Sequence, residues 1–373
     1  MTVPLWKSPA PSKIQIAGVG AYVPPHVVTA DQIARAFPGW TAERIVDRTG
    51  IAERRYLWPL DVERGCAVSP SPGTTDPTCA TDMAEVALTR ALAMADLPAT
   101  ELDVLVVVTC TPDQPRFSHD AMALRQRLGI PASAHCMVVD SGCGGSLYVL
   151  DMVTRMLGHG AARAAAVVGT NLSSPLVDRG LYGQEGLTGE NGKAISPFLS
   201  TYVFGDGAGA VVLRAGEPAG GGLVASLAGN GDDVLVHSPG GGTVSPSYGD
   251  RYQPIDHAFI VNGPRVATTY LRTMRSSVLS VCEAAGWEPK DVERFYFHQP
   301  NDRLLGLLTT ELGLSPDQVA SNVAHVGNTS SAGMFTLLAD DLDRGRVRLG
   351  SGAPVVMAAI GAGVHYGAQA VQL

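Results

Sequence analysis

The chain has 373 residues, 45% hydrophobic and 17% charged, which excludes wholesale disorder and supplies core enough for two domains or one duplicated body. Its 27 basic and 35 acidic residues leave a net charge of −8, so no broad basic surface is expected for nucleic acid. Six cysteines show neither CxxC nor zinc-like Cys/His spacing; no metal is expected, and a reducing cytoplasm fits them.

The apolar stretch from Ile14 to Val23 is broken by glycines and runs into Pro24-Pro25, so it reads as a strand and not as a signal peptide. No apolar run approaches the ~18 residues of a membrane span. Helices are expected at 30–37, 41–48 and 80–95. The unbroken run LDVLVVVT (102–109) has the pattern of a strand covered on both faces. A helix at 119–128 closes at Gly129, and a short strand at 137–139 leads into Ser-Gly-Cys-Gly-Gly (141–145). A helix at about 146–157 and a strand at 164–169 follow. Strands alternating with helices point to parallel βαβ layering. Residues 173–200 read as a long loop, 203–213 as a glycine-rich turn entering a strand, and 215–222 as the best linker.

The second half repeats the first. Asp103 and Val292, Cys143 and Asn328, and Val167 and Val355 are separated by near-constant offsets of 185–189 residues. Two similar halves, 1–214 and 215–373, would place the loops after equivalent strands around one cleft, where ligands of α/β proteins gather.

Three residues fall at such strand ends. Cys143 lies between glycines directly before an apolar helix, where the positive end of the helix dipole favours a thiolate. A small buried hydrophobe is the plain alternative. His298 heads HQPND after a strand and would face a cleft, although a lone loop histidine is more often a surface residue. Asn328, in HVGNTSSAG, also suits a helix cap. The segment Gly205-Asp-Gly-Ala-Gly209 enters a β-branched strand instead of a helix, so tight glycine packing is expected there and not a dinucleotide loop.

Together these residues resemble the β-ketoacyl synthase III enzymes of the thiolase-like fold. The likeness is colinear through RTGI (48–51), VVVTCTPDQPRF, the Gly-Cys-Gly turn, FGDGAGAVVL, HQPN, GNTSSAG and the closing GAGVHYGAQAVQL. It implies an αβαβα layered body and a ping-pong reaction without a cofactor. In that reaction Cys143 takes an acyl group from an acyl-CoA or acyl-carrier-protein thioester, and His298 and Asn328 stabilise the enolate formed as a malonyl thioester loses carbon dioxide. The same resemblance implies an oxyanion turn at Ala362 and Gly363, with Asn301 orienting Asn328. It also implies substrate contacts at Arg48, Phe198 and Arg303, and a homodimer in which Phe117 reaches the partner's acyl pocket.

Several positions depart from the family pattern. Arg44 replaces the tryptophan that stacks on coenzyme A, Phe198 replaces an arginine, Ser146 replaces a bulky aromatic, and Gly-Ala-Gly (361–363) replaces a triple glycine. Residues 173–200 are also longer. These changes strengthen an acyl carrier protein as donor and point to a specialised role in polyketide or other secondary metabolism. Arg265, Arg272, Arg275 and Arg303 offer candidate contacts for an acidic carrier. The alternative is an acyltransferase on the same fold that passes the acyl group to a hydroxyl or amine without decarboxylation. A non-catalytic synthase subunit is disfavoured by the intact Cys, His and Asn set, and a papain-like protease by the repeated α/β organisation.

Overall fold

The computed structural model describes residues 5–7, 14–71, 74–182, 198–216 and 221–373; most of the long loop, 183–197, lies outside these, as does 217–220 of the expected linker. Ten strands form two five-stranded sheets. The first contains β2 (Ile14–Tyr22), β3 (Val104–Thr109), β4 (His135–Asp140), β5 (Ala164–Asn171) and β6 (Gly207–Ala215), in the order β2-β6-β5-β3-β4. The second contains β1 (Leu5–Lys7), β7 (Gly222–Asn230), β8 (Arg294–Phe297), β9 (Pro354–Gly361) and β10 (His365–Gln372), in the order β1-β7-β10-β9-β8.

Four strands of each sheet occupy matching positions, which is the spatial form of the repeat. In both sheets the central strands pair parallel, β3 with β4 and β5, and β8 with β9. The glycine-rich strands β6 and β10 pair antiparallel with both neighbours. The sheets are therefore mixed and not wholly parallel, because β10 follows β9 through a short turn that can only reverse the chain. The halves differ at one edge. The counterpart of β4 shrinks to a single parallel bridge between Phe295 and Val319, and β1, from the beginning of the chain, is added at the opposite edge of the second sheet.

Helices complete five layers. Of the main helices, α1 (Ala30–Ala36) and α2 (Ala42–Thr49) cap the cleft end, and α3 (Ala80–Met94) and α4 (Asp120–Leu128) cover the outer face of the first sheet. Between the sheets lie α5 (Gly145–Gly158) and, from the other half, α8 (Gly333–Asp343). Outside the second sheet lies α6 (Gly263–Ala285), with α7 (Asp302–Glu311) packed on it. This is the layered α/β body of the thiolase-like fold.

Strand β3 shows why its sequence lacks alternation. Val104, Val106 and Val108 enter the core between the sheets, while Leu105 and Val107 enter the core beneath α3 and α4. Both faces are dry, so both registers are apolar.

The Gly205–Gly209 segment is a packing device, as its context indicates. Asp206 is fully buried, and its carboxylate accepts hydrogen bonds from the N–H groups of Leu57, Ser173 and Ser174 and from the Ser173 hydroxyl. At Gly209 on β6, a Cβ would stand 2.7 Å from Cβ of Phe335 on α8 and 2.9 Å from the Ala332 carbonyl. Only glycine lets the inner helix lie this close. Gly209→Ala is expected to lower stability by about 1–3 kcal/mol through overpacking, seen as a lower urea midpoint with an unchanged slope; an unchanged midpoint would contradict this packing role.

Candidate active site

Cys143, His298 and Asn328 meet in one cavity of about 470 Å³, although they lie on three separate loops. Each is brought there by local structure. Cys143 follows β4 and immediately precedes the Gly144 cap of α5. At Gly144 a Cβ would collide with the Gly361 N–H and the His365 carbonyl, so the nucleophile turn of one half lies directly on the β9–β10 turn of the other. Gly361 and Ala362 line the cavity beside Cys143, whereas Gly363 sits just past it, at φ 94 in the same turn. Cys143 and Ala362 thus line the same cavity.

His298 continues β8. Its N–H donates to the Ala358 carbonyl at 2.9 Å, and its own carbonyl accepts from the Tyr270 hydroxyl at 2.8 Å. The ring is 4% exposed, and burial lowers its pKa to about 3, so it is a neutral imidazole at physiological pH. Asn328 is held by its backbone across the two halves, its N–H donating to Val203 at 2.8 Å and its carbonyl accepting from Gly205 at 3.0 Å. The Ser330 N–H donates to Asn328 Oδ1 at 2.9 Å, which turns Nδ2 toward the thiol, 4.0 Å from Cys143 Sγ. A carboxamide N–H therefore faces the sulfur, and the neutral His298 ring lines the same cavity.

Three expectations change. Asn301 lines the cavity, but its Oδ1 accepts from the Leu304 N–H and caps α7; the bond that orients Asn328 comes from Ser330. Phe198 does not line the cavity. It packs in an aromatic cluster behind it, with ring centroids 5.7 Å from Phe37, 6.1 Å from Tyr182 and 6.5 Å from Tyr202, because the first turn of its short helix points it into the core. The Cys143 thiol is not depressed. Burial pushes its pKa up, opposed by the Ser330 hydroxyl, its own backbone N–H and Asn328. A helix dipole visible in sequence is thus set against a desolvation that is not.

At the mouth, Arg48 and Arg303 line the cavity as expected, with Arg303 Nε donating to the Asp47 carbonyl at 3.0 Å. Arg44 lies over the Trp40 ring at 5.0 Å, and Trp40 in turn stacks on Tyr202 at 5.0 Å. Phe117 is 90% exposed, at φ 51, and touches no part of this cavity. Ser146 is fully buried on α5, and its hydroxyl donates to the Ser331 carbonyl. Sequence reasoning missed Trp40, Tyr270 and Ser330. Tyr270 and Met274 share helical spacing and are indistinguishable in sequence from plain core residues.

Among the described residues no cluster of His, Cys, Asp or Glu is arranged to hold a metal ion, and no helix is long and apolar enough to cross a membrane. Comparison with known proteins places the chain in a family. The 3-oxoacyl-[acyl-carrier-protein] synthase III family matches residues 139–231, and its C-terminal domain matches 282–373. Two β-ketoacyl-[acyl-carrier-protein] synthase III proteins of Streptomyces coelicolor are 34% and 31% identical, each covering 95% of this chain and, respectively, 96% and 92% of their own length. Among solved structures, the synthase III of Pseudomonas aeruginosa superposes with a TM-score of 0.77 at 27% identity, covering 96% of this chain and 98% of its own. The priming β-ketosynthase of the R1128 polyketide pathway gives 0.74 at 25%, covering 99% of each. The fold and the site define a condensing enzyme of the thiolase-like class. Within that class, the chain belongs to the β-ketoacyl-[acyl-carrier-protein] synthase III family.

The state of His298 has a consequence for acid stability. Unfolded, the ring takes a proton as pH falls below its ordinary value of 6.5; folded, it resists until about 3. Its contribution is whole above pH 6.5 and is lost progressively toward pH 3. His298→Gln is therefore expected to lose less stability than the unaltered chain between pH 7 and pH 4, measured by urea midpoints; equal losses would contradict a buried neutral ring.

Proposed function

We propose that this enzyme loads an acyl group on Cys143 and condenses it with a malonyl thioester, serving polyketide or other secondary metabolism. The observation that carries the reading is Asn328 Nδ2 aimed at Cys143 Sγ from 4.0 Å beside a neutral His298. In the first half-reaction Sγ bonds to the thioester carbonyl carbon, the carbon–sulfur bond to the carrier breaks, and the proton leaves on the released carrier thiol. The N–H groups at Cys143 and Ala362 hold the oxyanion.

In the second half-reaction His298 and Asn328 donate to the malonyl thioester carbonyl as carbon dioxide departs. The carbanion attacks the acyl carbon, the acyl carbon–Sγ bond breaks, a β-ketoacyl thioester leaves, and the Cys143 thiolate takes a proton from solvent. Two neutral donors stabilise the enolate without carrying charge into a desolvated cavity. Transfer to a hydroxyl or amine would have no use for that pair, so condensation is the better reading.

The donor we favour is an acyl carrier protein. Arg44, Arg48 and Arg303 at the mouth suit an acidic carrier, and the Trp40 face is already covered by Arg44. The polyketide assignment draws support from the likeness to a priming β-ketosynthase. The reading includes a homodimer in which Phe117, 90% exposed, meets the partner. Six free cysteines fit a cytoplasmic setting.

The test is mass spectrometry after mixing with acyl thioesters and malonyl carrier protein. The unaltered chain should show an acyl adduct on Cys143, then a β-ketoacyl product with loss of carbon dioxide. Cys143→Ala should show no adduct, and Asn328→Ala should keep the adduct while product formation falls about 10²–10³-fold. An adduct that never consumes malonyl carrier would overturn condensation in favour of acyl transfer.

A further inference from the structure

Ser330 stands two residues beyond Asn328 in the left-handed region, at φ 50. A side chain there is unfavourable, and such positions persist only where surrounding structure imposes them. The residue is 1% exposed, and its hydroxyl has no well-formed hydrogen bond, an unusual state for a buried polar group. Its N–H is already committed to Asn328 Oδ1 at 2.9 Å. The hydroxyl stands beside the nucleophile turn. Above Gly142, the position a Cβ would occupy lies 3.9 Å from Ser330 Oγ and 3.9 Å from Cys110 Sγ, and Cys143 is the next residue.

A neutral thiol is a weak acceptor, so the hydroxyl has nothing strong to bind until an anion forms. We propose that Ser330 is a reserved donor for the Cys143 thiolate, its left-handed backbone aiming the hydroxyl at Sγ while its N–H orients Asn328. When Cys143 gives its proton to solvent, the hydroxyl turns onto the sulfur and makes the charge-assisted bond that is missing in the resting enzyme. The neighbouring titratable groups do not compete. Cys110, at the end of β3, is pushed up to about 12, first by burial, and stays a thiol. His298, opposite, is neutral, and the Asp140 carboxyl is pushed up by burial. The three arginines stand at the mouth. Ser330 lowers the pKa of both thiols against the effect of burial, and on Cys143 its influence comes second only to burial itself.

The inference rests on Cys143 being the nucleophile. It is tested by iodoacetamide alkylation of the full chain across pH, with the Cys143 peptide followed by mass spectrometry so that Cys110 is scored separately. Ser330→Ala removes the hydroxyl alone; Ser330→Gly removes it and relaxes the backbone, and so decides the question should the alanine variant fail to fold. The midpoint for Cys143 should rise by about one pH unit, with alkylation at pH 7 about tenfold slower. The deficit should vanish at pH values above both midpoints, a recovery that a merely structural role would not produce. Acyl loading from a thioester should follow the same pH dependence. Variants that titrate with the unaltered midpoint would overturn the role of Ser330. An unaltered chain whose Cys143 alkylates yet takes no acyl group would overturn the nucleophile reading instead.

Discussion

Everything at the site depends on the interlock between the two halves at the turn 328–332. The Ser331 hydroxyl reaches the carbonyls of Val108 and Thr170, 2.9 Å from each, at the ends of two central strands of the first sheet. The Ser331 carbonyl in turn accepts from Ser146 on α5. A single hydroxyl proton shared between two strand-end carbonyls from the opposite half lessens their desolvation penalty and ties the two halves together. From that anchor α8 runs between the sheets, Asn328 meets Val203 and Gly205, and the nucleophile turn comes to rest against Gly361.

The site is built in tension with its own burial. Desolvation raises the Cys143 thiol and lowers His298, so both are held in neutral forms at rest. For the histidine this is an advantage, since a neutral donor is what an enolate needs in a dry cavity. For the cysteine it opposes reactivity, and local donors must offset it. One desolvated volume therefore asks opposite things of two neighbouring groups, and the turn carrying Asn328 and Ser330 is where the difference is made up.

Much of this was legible in the chain. The β3 run is apolar at every position because each register meets a different core, and the glycines around Cys143 announce a turn pressed against backbone. The offsets between the halves foretold matching sheets, since a repeated hydrophobic pattern must bury repeated faces. Other residues were legible in type and not in role. Phe198 looks like a substrate contact when set against its family and is a core aromatic; Asn301 looks like a partner for Asn328 and caps a helix. Both outcomes hang on side-chain direction and on neighbours more than a hundred residues away or a single turn along.

The sequence by itself determined the layered α/β class, the two halves, and the three residue types that face the cleft. The first two follow from periodicity, glycine placement and spacing, which are local properties of the chain; the third followed from the likeness of its motifs to a known family. Only the tertiary structure decided which groups are desolvated, which hydroxyl is left unpaired, and which N–H aims the Asn328 carboxamide. Burial and long-range hydrogen bonding belong to pairs of segments and not to any one of them, so no window of sequence contains them.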